Sequence, residues 1–449
     1  MTARAVAIAR IARAARQFPD IHFRTDKQSD EAALEPRDAA LASAIEHHVL
    51  RRWLTLVAVL ESHLSRPWHE TETKLQAALL CGSAQLLLMD RVPDYAVIDE
   101  TVEWAKSTIR PKAGGLVNAV LRKIAAVRGS QIEGRSLTRL TRDQLPLHDG
   151  RVLSLNARVF AEDALRCLAQ QTSTPIELLE HWNGRLGIDA ARLLAMHGLV
   201  HAPPIVHGVD GALASRLNLQ PHEKPGFFVV DGAGNERISS LLRESPQMIV
   251  QDPTAAAAVE ATRRIEPTPR LIVDACAGRG TKTRQLAGVH PNAQIIATDI
   301  DHDRLRSLRE TFKGHSRVRV IEHQRLIDFA GQADLILLDV PCSNTGVLAR
   351  RVEAKYRFST ASLRSLVDIQ RQILADALRL ANGKAWIAYT TCSVEPAENQ
   401  QQAAWLTQWH PFQIIAQEST MPAGLPGEDS TRYHDGGYWA LLQRKPVNT

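Results

Sequence analysis

Between Ala5 and about Arg128, apolar residues return every three or four positions, the period that lines one side of an α-helix. Residues 40–60, 74–89 and 97–109 carry the pattern most plainly, with Pro93 and the stretch 111–115 as breaks. The period predicts an all-helical bundle of about 130 residues. Residues 146–170 read as a connector, followed by a helix over 175–187. From 203 to 247 short apolar runs alternate with Gly and Pro, which predicts a small α+β unit. Beyond residue 250 the rhythm changes. Apolar runs of strand length stand at 271–274, 294–298, 318–321, 334–339 and 384–390, with helical patterns between most of them, notably 303–312 and 362–381. Such alternation predicts a parallel, doubly wound α/β sheet. The expected division is a helical domain over 1–145, a linker and small α+β unit over 146–248, and an α/β domain over 249–449.

A chain of 449 residues is too long for one compact domain, in keeping with that division. With 44% hydrophobic and 23% charged residues it has the make-up of folded protein. Its net charge of +5 favours an anionic partner without requiring one. One stretch sharpens the point. Lys106, Arg110, Lys112, Arg122, Lys123 and Arg128 stand between 104 and 131 with no acid among them, and Arg135, Arg139 and Arg142 extend the run past Glu133. A phosphate-tracking surface and a solvated helix face explain it equally well.

At the start of the chain Arg4, Arg10, Arg13 and Arg16 precede any acid, a trait of mitochondrial presequences. Scarce Ser and Thr, and a helical pattern that runs on, favour the first helix of a folded domain instead. The longest apolar stretch, around 79–89, is far too short to span a bilayer, so no membrane partner is expected. The five cysteines, at 81, 167, 276, 342 and 392, include no C-x-x-C pair, which argues against a zinc site and a disulfide framework. Free thiols in a reducing cytoplasm are expected, in a monomer without bound metal.

The first strand of the α/β region runs into Asp274-Ala275-Cys276-Ala277-Gly278-Arg279-Gly280-Thr281-Lys282-Thr283. A Gly-containing turn between strand and helix lets the backbone approach a ligand closely. The second strand leads to Asp299, an acid placed to accept hydrogen bonds from the ribose hydroxyls of a nucleoside cofactor. The spacing is neither G-x-G-x-x-G nor a Walker A loop, because a third glycine is missing and Thr281 precedes Lys282. S-adenosylmethionine and a dinucleotide fit such a turn equally well.

Two later strands carry a more specific signal. The fourth leads into Asp339-Val340-Pro341-Cys342-Ser343-Asn344-Thr345-Gly346, and the fifth ends Tyr389-Thr390-Thr391-Cys392-Ser393. Ligands of open α/β sheets sit beyond the carboxyl ends of strands. If the strand order is the common methyltransferase one, both cysteines face one cleft beside the cofactor. A lone cysteine is usually a buried structural thiol, and Cys276 reads that way by itself. A pair at neighbouring strand ends points to chemistry. Carbon 5 of cytosine is a poor nucleophile, but addition of a thiolate at carbon 6 makes it enamine-like and able to take a methyl group. Asp339 is the candidate acid near ring nitrogen 3, and the second thiol is a candidate for assisting release. Amino-directed methyltransferases commonly carry Asn/Asp-Pro-Pro-aromatic where this chain has Asp339-Val340-Pro341-Cys342. Acyl transfer would want a histidine paired with the nucleophile, and none lies near Cys392 in sequence.

These segments resemble the cofactor and catalytic motifs of Sun-type (RsmB-like) ribosomal RNA cytosine-C5 methyltransferases. Val250-Gln251-Asp252, Glu398-Asn399 and Asp435-Gly436 match that family as well. The helical region resembles the NusB-like domain that precedes the catalytic domain there, most recognisably at Gly115-Leu116-Val117-Asn118-Ala119-Val120-Leu121-Arg122. The resemblance spans nearly the whole chain. It implies a NusB-like helical domain, a small α+β unit and a Rossmann-like methyltransferase domain using S-adenosylmethionine. It implies that Cys392 attacks carbon 6 and Cys342 assists release. It further implies that Cys276, Ala277, Gly278, Arg279, Gly280, Thr281, Lys282 and Asp299 hold the cofactor, with Asp339 between cofactor and base.

Residues alone do not rank the cysteines, since DNA cytosine methyltransferases use the Pro-Cys after strand four. The chain departs from the family's Ala-Pro-Gly-Gly-Lys loop at Gly278-Arg279-Gly280-Thr281-Lys282. Glu322-His323-Gln324-Arg325 replaces Gly-Asp-Ala/Gly-Arg after strand three. The implied substrate is a cytosine in small-subunit ribosomal RNA, unpaired or flipped out. Arg350, Arg351 and Lys355 are candidates for phosphate contacts, against the plainer reading of an exposed basic turn. Transfer RNA is the alternative target, and a non-catalytic RNA-binding or assembly factor the alternative class.

Overall fold

The computed structural model describes residues 2–21, 34–90, 92–133, 137, 139–231 and 235–446. They form two compact units: Met1–His201 with Leu348–Ser359 and Leu425–Glu428, and Ala202–Val347 with Thr360–Gly424 and Asp429–Thr449.

Among the described residues the first unit opens with the α-helices α1 (Ala3–Gln17), α2 (Pro36–Glu61), α3 (Thr73–Leu88), α4 (Asp94–Thr108) and α5 (Ala113–Val127). α3 is buried around nearly its whole circumference from Leu75 to Leu87, so it is the central helix of the bundle. α1 buries Val6, Ala7, Ile8 and Ile11 together with Arg4 and Arg10. A buried cation needs a partner. Arg4 finds Gln85 at 2.7 Å and the Glu100 carboxylate, and Arg10 finds Glu46 at 3.3 Å. The N-terminal arginines therefore include fixtures of a packed helix. The expected break at 111–115 is shorter in the structure, because α5 starts at Ala113 and buries Val117, Val120, Leu121 and Ile124.

The stretch read as a connector is ordered. Strands β1 (Arg128–Ile132), β2 (Gln144–Pro146) and β3 (Val152–Leu155) make an antiparallel sheet in the order β1-β3-β2. Helices α6 (Ala164–Thr172), α7 (Ile176–Leu186) and α8 (Ile188–His197) follow. Leu348–Ser359 is threaded into this unit. There the Tyr356 hydroxyl donates to the Leu50 carbonyl at 2.7 Å, and Lys355 Nζ donates to the Arg51 carbonyl at 2.8 Å. Lys355 is only 2% exposed, so the expectation that it meets phosphate is overturned, whereas Arg350 and Arg351 are exposed. Burial holds the Lys355 amine well below its ordinary range, with Arg52 and Arg51 adding to the effect.

In the second unit β4 (Ile205–His207), β5 (Gln220–Pro221), β6 (Phe227–Val229) and β7 (Ile249–Val250) form a small sheet in the order β5-β6-β4-β7. The main sheet comprises β8 (Leu271–Asp274), β9 (Gln294–Ala297), β10 (Val318–Val320), β11 (Ala333–Asp339), β12 (Ala381–Thr391), β13 (Phe412–Thr420) and β14 (Gly437–Arg444). Its order is β10-β9-β8-β11-β12-β14-β13. The first five strands are parallel, as the alternating pattern predicts, and β14 runs antiparallel to both β12 and β13. On β11, Ile336 and Leu338 enter one apolar core while Leu335 and Leu337 enter the other. A strand covered on both faces is apolar throughout, which is why it reads as a continuous run. No described helix is long and apolar enough to cross a membrane.

Candidate active site

At the carboxyl end of β8 the chain turns through Gly278, with φ of +58°, and Gly280, with φ of +91°. A side chain at Gly280 would lie 2.5 Å from the Phe312 ring, so packing there demands glycine. Above Gly278 a Cβ would meet nothing within 4 Å, so the turn leaves an open cradle. Thr281 starts the next helix and is exposed, as is Arg279. Asp299 is 6% exposed; its Oδ2 accepts from the Gly278 amide and its Oδ1 from the Asp301 amide, both at 2.9 Å. Each oxygen of a carboxylate has two acceptor sites, so each keeps one for a further donor. Ile300, 78% exposed, stands next to it and offers an apolar surface. An open cradle, a fixed acid and an apolar neighbour fit a nucleoside with ribose hydroxyls. Burial pushes the Cys276 thiol up, which keeps it unreactive.

β11 lies between β8 and β12, and Asp339 is paired with Thr390 across the parallel β11–β12 ladder. The loops leaving these two strands bring Cys342 and Cys392 together with their sulfurs 3.3 Å apart. Asn344 sits in the left-handed region, with φ of +60°. Its Nδ2 donates to the Cys342 carbonyl at 2.7 Å, which turns Oδ1 toward Cys392, whose S–H donates to it at 3.2 Å. The Gly346 amide donates to the Cys392 carbonyl at 3.0 Å, tying the loops together. A Cβ on Gly346 would lie 2.4 Å from the Gly436 carbonyl oxygen, so only glycine fits. Asp252 Oδ2 accepts from the Asp435 amide at 3.0 Å, holding the segment that supplies Gly436.

Asp339 reaches from the end of β11 to Lys282, with Oδ2 and Nζ 2.8 Å apart. Burial favours the neutral amine, but Asp339, Cys392 and Asp274 outweigh it, and the Lys282 proton is held more tightly than usual. Cys342 is 8% exposed. Its hydrogen bond to Cys392, its burial, and the charges of Cys392 and Glu398 all push its thiol up. The geometry thus gathers Cys392, Cys342, Asp339 and Lys282 at one strand edge. Cys276 to Gly280 and Asp299 form a second cluster on the same edge, at the ends of β8 and β9. Cys81 and Cys167 are buried in the helical unit. Sequence reasoning missed Asn344 as a contact of Cys392; an Asn two residues before a glycine in a strand-end loop was the available hint.

Residues 265–428 match the family model "16S rRNA methyltransferase RsmB/F", and residues 1–126 match the NusB family. The chain joins a NusB-family domain to an RsmB/F-family methyltransferase domain. It is 28% identical over 422 residues to Ribosomal RNA small subunit methyltransferase B of Vibrio cholerae, covering 92% of this chain and 91% of that protein. To the protein of the same name from Yersinia enterocolitica it is 26% identical, covering 92% of each. The crystal structure of PH0851 shares the fold over 98% of this chain and 99% of its own, with a TM-score of 0.72 at 21% identity. A methyltransferase of this family uses S-adenosylmethionine, and the cradle described above suits that cofactor.

Proposed function

We propose that this methyltransferase methylates carbon 5 of a cytosine in small-subunit ribosomal RNA through a covalent bond to Cys392. The carrying observation is the pair of sulfurs 3.3 Å apart at the ends of adjacent strands, with the Lys282–Asp339 pair on the same edge. Two thiols at that spacing serve a reaction that makes and then breaks a carbon–sulfur bond. The relatives' name supplies the RNA, thiolate addition at carbon 6 is what carbon 5 of a pyrimidine needs, and the resemblance of the two cysteine loops to cytosine-C5 methyltransferases points to cytosine among the pyrimidines.

The Cys392 thiolate bonds to carbon 6, and the electron pair of the 5,6 double bond moves toward carbon 5. The Lys282–Asp339 pair is placed to lend a proton to ring nitrogen 3 as negative charge develops on the ring, and takes it back when the double bond is restored. When bound, S-adenosylmethionine would supply the electrophilic methyl group for carbon 5, its sulfonium S–CH3 bond breaking to leave the neutral thioether S-adenosylhomocysteine. Once the Cys392 charge is consumed in the carbon–sulfur bond, the Cys342 proton passes to water. Cys342 then accepts the proton of carbon 5; that bonding pair restores the double bond, and the carbon–sulfur pair returns to Cys392. One proton is released per methyl transferred, which balances the reaction.

Bisulfite sequencing of total RNA from a strain lacking the gene, beside its parent, tests the reading. The expected result is one small-subunit ribosomal cytosine that loses its methylation and regains it on complementation. Loss confined to transfer RNA would transfer the proposal to that target. No change at any cytosine, with no calorimetric binding of S-adenosylmethionine, would leave a non-catalytic factor.

A further inference from the structure

Two consecutive buried residues hold the two cysteine loops. Asn399 grips both sides of Cys392: its Oδ1 accepts from Thr391 Oγ1 at 2.5 Å and its Nδ2 donates to the Ser393 carbonyl at 2.8 Å. Glu398, 0% exposed, grips the other loop. Its Oε1 accepts from the Ser343 amide at 2.9 Å, and its Oε2 accepts from Ser343 Oγ at 2.5 Å. Gln370 completes the brace, donating to Glu398 Oε1 at 3.0 Å and to the Pro341 carbonyl at 2.9 Å. The residues on either side of Cys342 are therefore fixed by one buried carboxylate and the amide it binds.

The partners of that carboxylate are an amide, a hydroxyl and a side-chain amide, all neutral donors. Burial pushes the Glu398 carboxyl up while these bonds oppose it, and at the higher pH where a thiol ionises its charge is not cancelled by a contacting cation. The groups facing Cys342 are Cys392, Glu398 and Tyr389. The cation of the site, Lys282, feels Cys392 instead. The two sulfurs thus lie in unlike fields.

We infer that Glu398 is a positioning residue for the reaction proposed above, on which this inference rests: it fixes the Cys342 turn, and its charge keeps the proton on Cys342 while Cys392 is the free nucleophile. When Cys392 bonds to carbon 6 its negative charge disappears, and Cys342 can then give its proton to water and act as base. Glu398 sets the order in which the two thiols ionise.

The test is made on the full-length protein without RNA. Ionisation of Cys342 is followed by thiolate ultraviolet absorbance, as the difference between the Cys392→Ser protein and the Cys342→Ser/Cys392→Ser protein. Adding Glu398→Gln to both should lower the midpoint by about one pH unit, roughly a tenfold change in the thiolate ratio. Glu398→Asp keeps the charge but shortens the reach, and should leave the midpoint near the parent value. An unchanged midpoint in Glu398→Gln overturns the inference, as does an equal shift in both variants, which would mark a purely structural brace. Should Cys342→Ala fail to accumulate an RNA adduct, the proposed role of Cys342 in release falls, while the midpoint still decides the role of Glu398.

Discussion

Cys342 and Cys392 lie 50 residues apart in the chain and 3.3 Å apart in space. Its bond to Cys392 and its burial push the Cys342 thiol up, so Cys342 holds its proton while Cys392 carries charge. The proposed reaction gives the two cysteines separate roles. Cys392→Ala should abolish turnover, with no RNA adduct resolved on a denaturing gel. Cys342→Ala should form the adduct and fail to release it. Adducts from the Cys392 variant and none from the Cys342 variant would exchange the assignments.

Asp339 is the carboxylate held by Lys282. Asp339→Asn keeps its size and a hydrogen-bond acceptor but loses the charge. Adduct formation, timed in the Cys342→Ala background, should slow by about 10²–10⁴-fold, the usual range for a positioned acid or base. Formation at the parent rate would remove Asp339 from the chemistry.

Asp274, at the end of β8, is 0% exposed and accepts from Thr283 Oγ1 at 2.6 Å. Burial pushes its carboxyl up to about 7, against the ordinary 3.8. The fold thus favours the protonated form, so this stabilisation is complete below about pH 4 and is lost as pH rises through about 7. The Tm difference between the parent and Asp274→Asn should shift toward the parent as pH falls from neutral to about 4, by on the order of a few kcal/mol in stability. A difference that is flat across this window would contradict the assignment.

Gly346 has backbone where a side chain would go, with the Gly436 and Cys392 carbonyl oxygens 2.4 and 3.0 Å from an added Cβ. Gly346→Ala should cost about 1–3 kcal/mol, seen as a lower Tm, because backbone must move. Gly184, in α7, faces open space, and Gly184→Ala should instead raise Tm by up to about 1 kcal/mol equivalent. Equal behaviour of the two variants would mean that the contact at Gly346 is not limiting.

Much of the architecture was legible because it is written locally. Five parallel strands stand where apolar runs predict them, since a strand buried on both faces is apolar throughout. β13 escaped notice because its burial alternates irregularly along 412–420, as suits an edge strand. The loops at Asp274–Thr283, Asp339–Gly346 and Tyr389–Ser393 stood out through residue types that turns and thiol chemistry demand.

What the sequence determined by itself is each element's type and the presence of two cysteine loops, because helical and strand periods act over neighbouring residues. Only the tertiary structure decided which distant groups meet. Lys106, Arg110 and Arg128 look unopposed along the chain, yet they pair with Glu103, Glu72 and Asp90, the last two from elsewhere in the bundle, and Lys112, Arg122 and Lys123 remain exposed. Lys355 looks like a surface cation and is buried on a carbonyl. Glu398 shows in the sequence only as part of a family match with Asn399, and its burial against Ser343 follows from the parallel pairing of β11 with β12. Charge and hydrogen bonding act through space, and strand pairing sets which residues share that space.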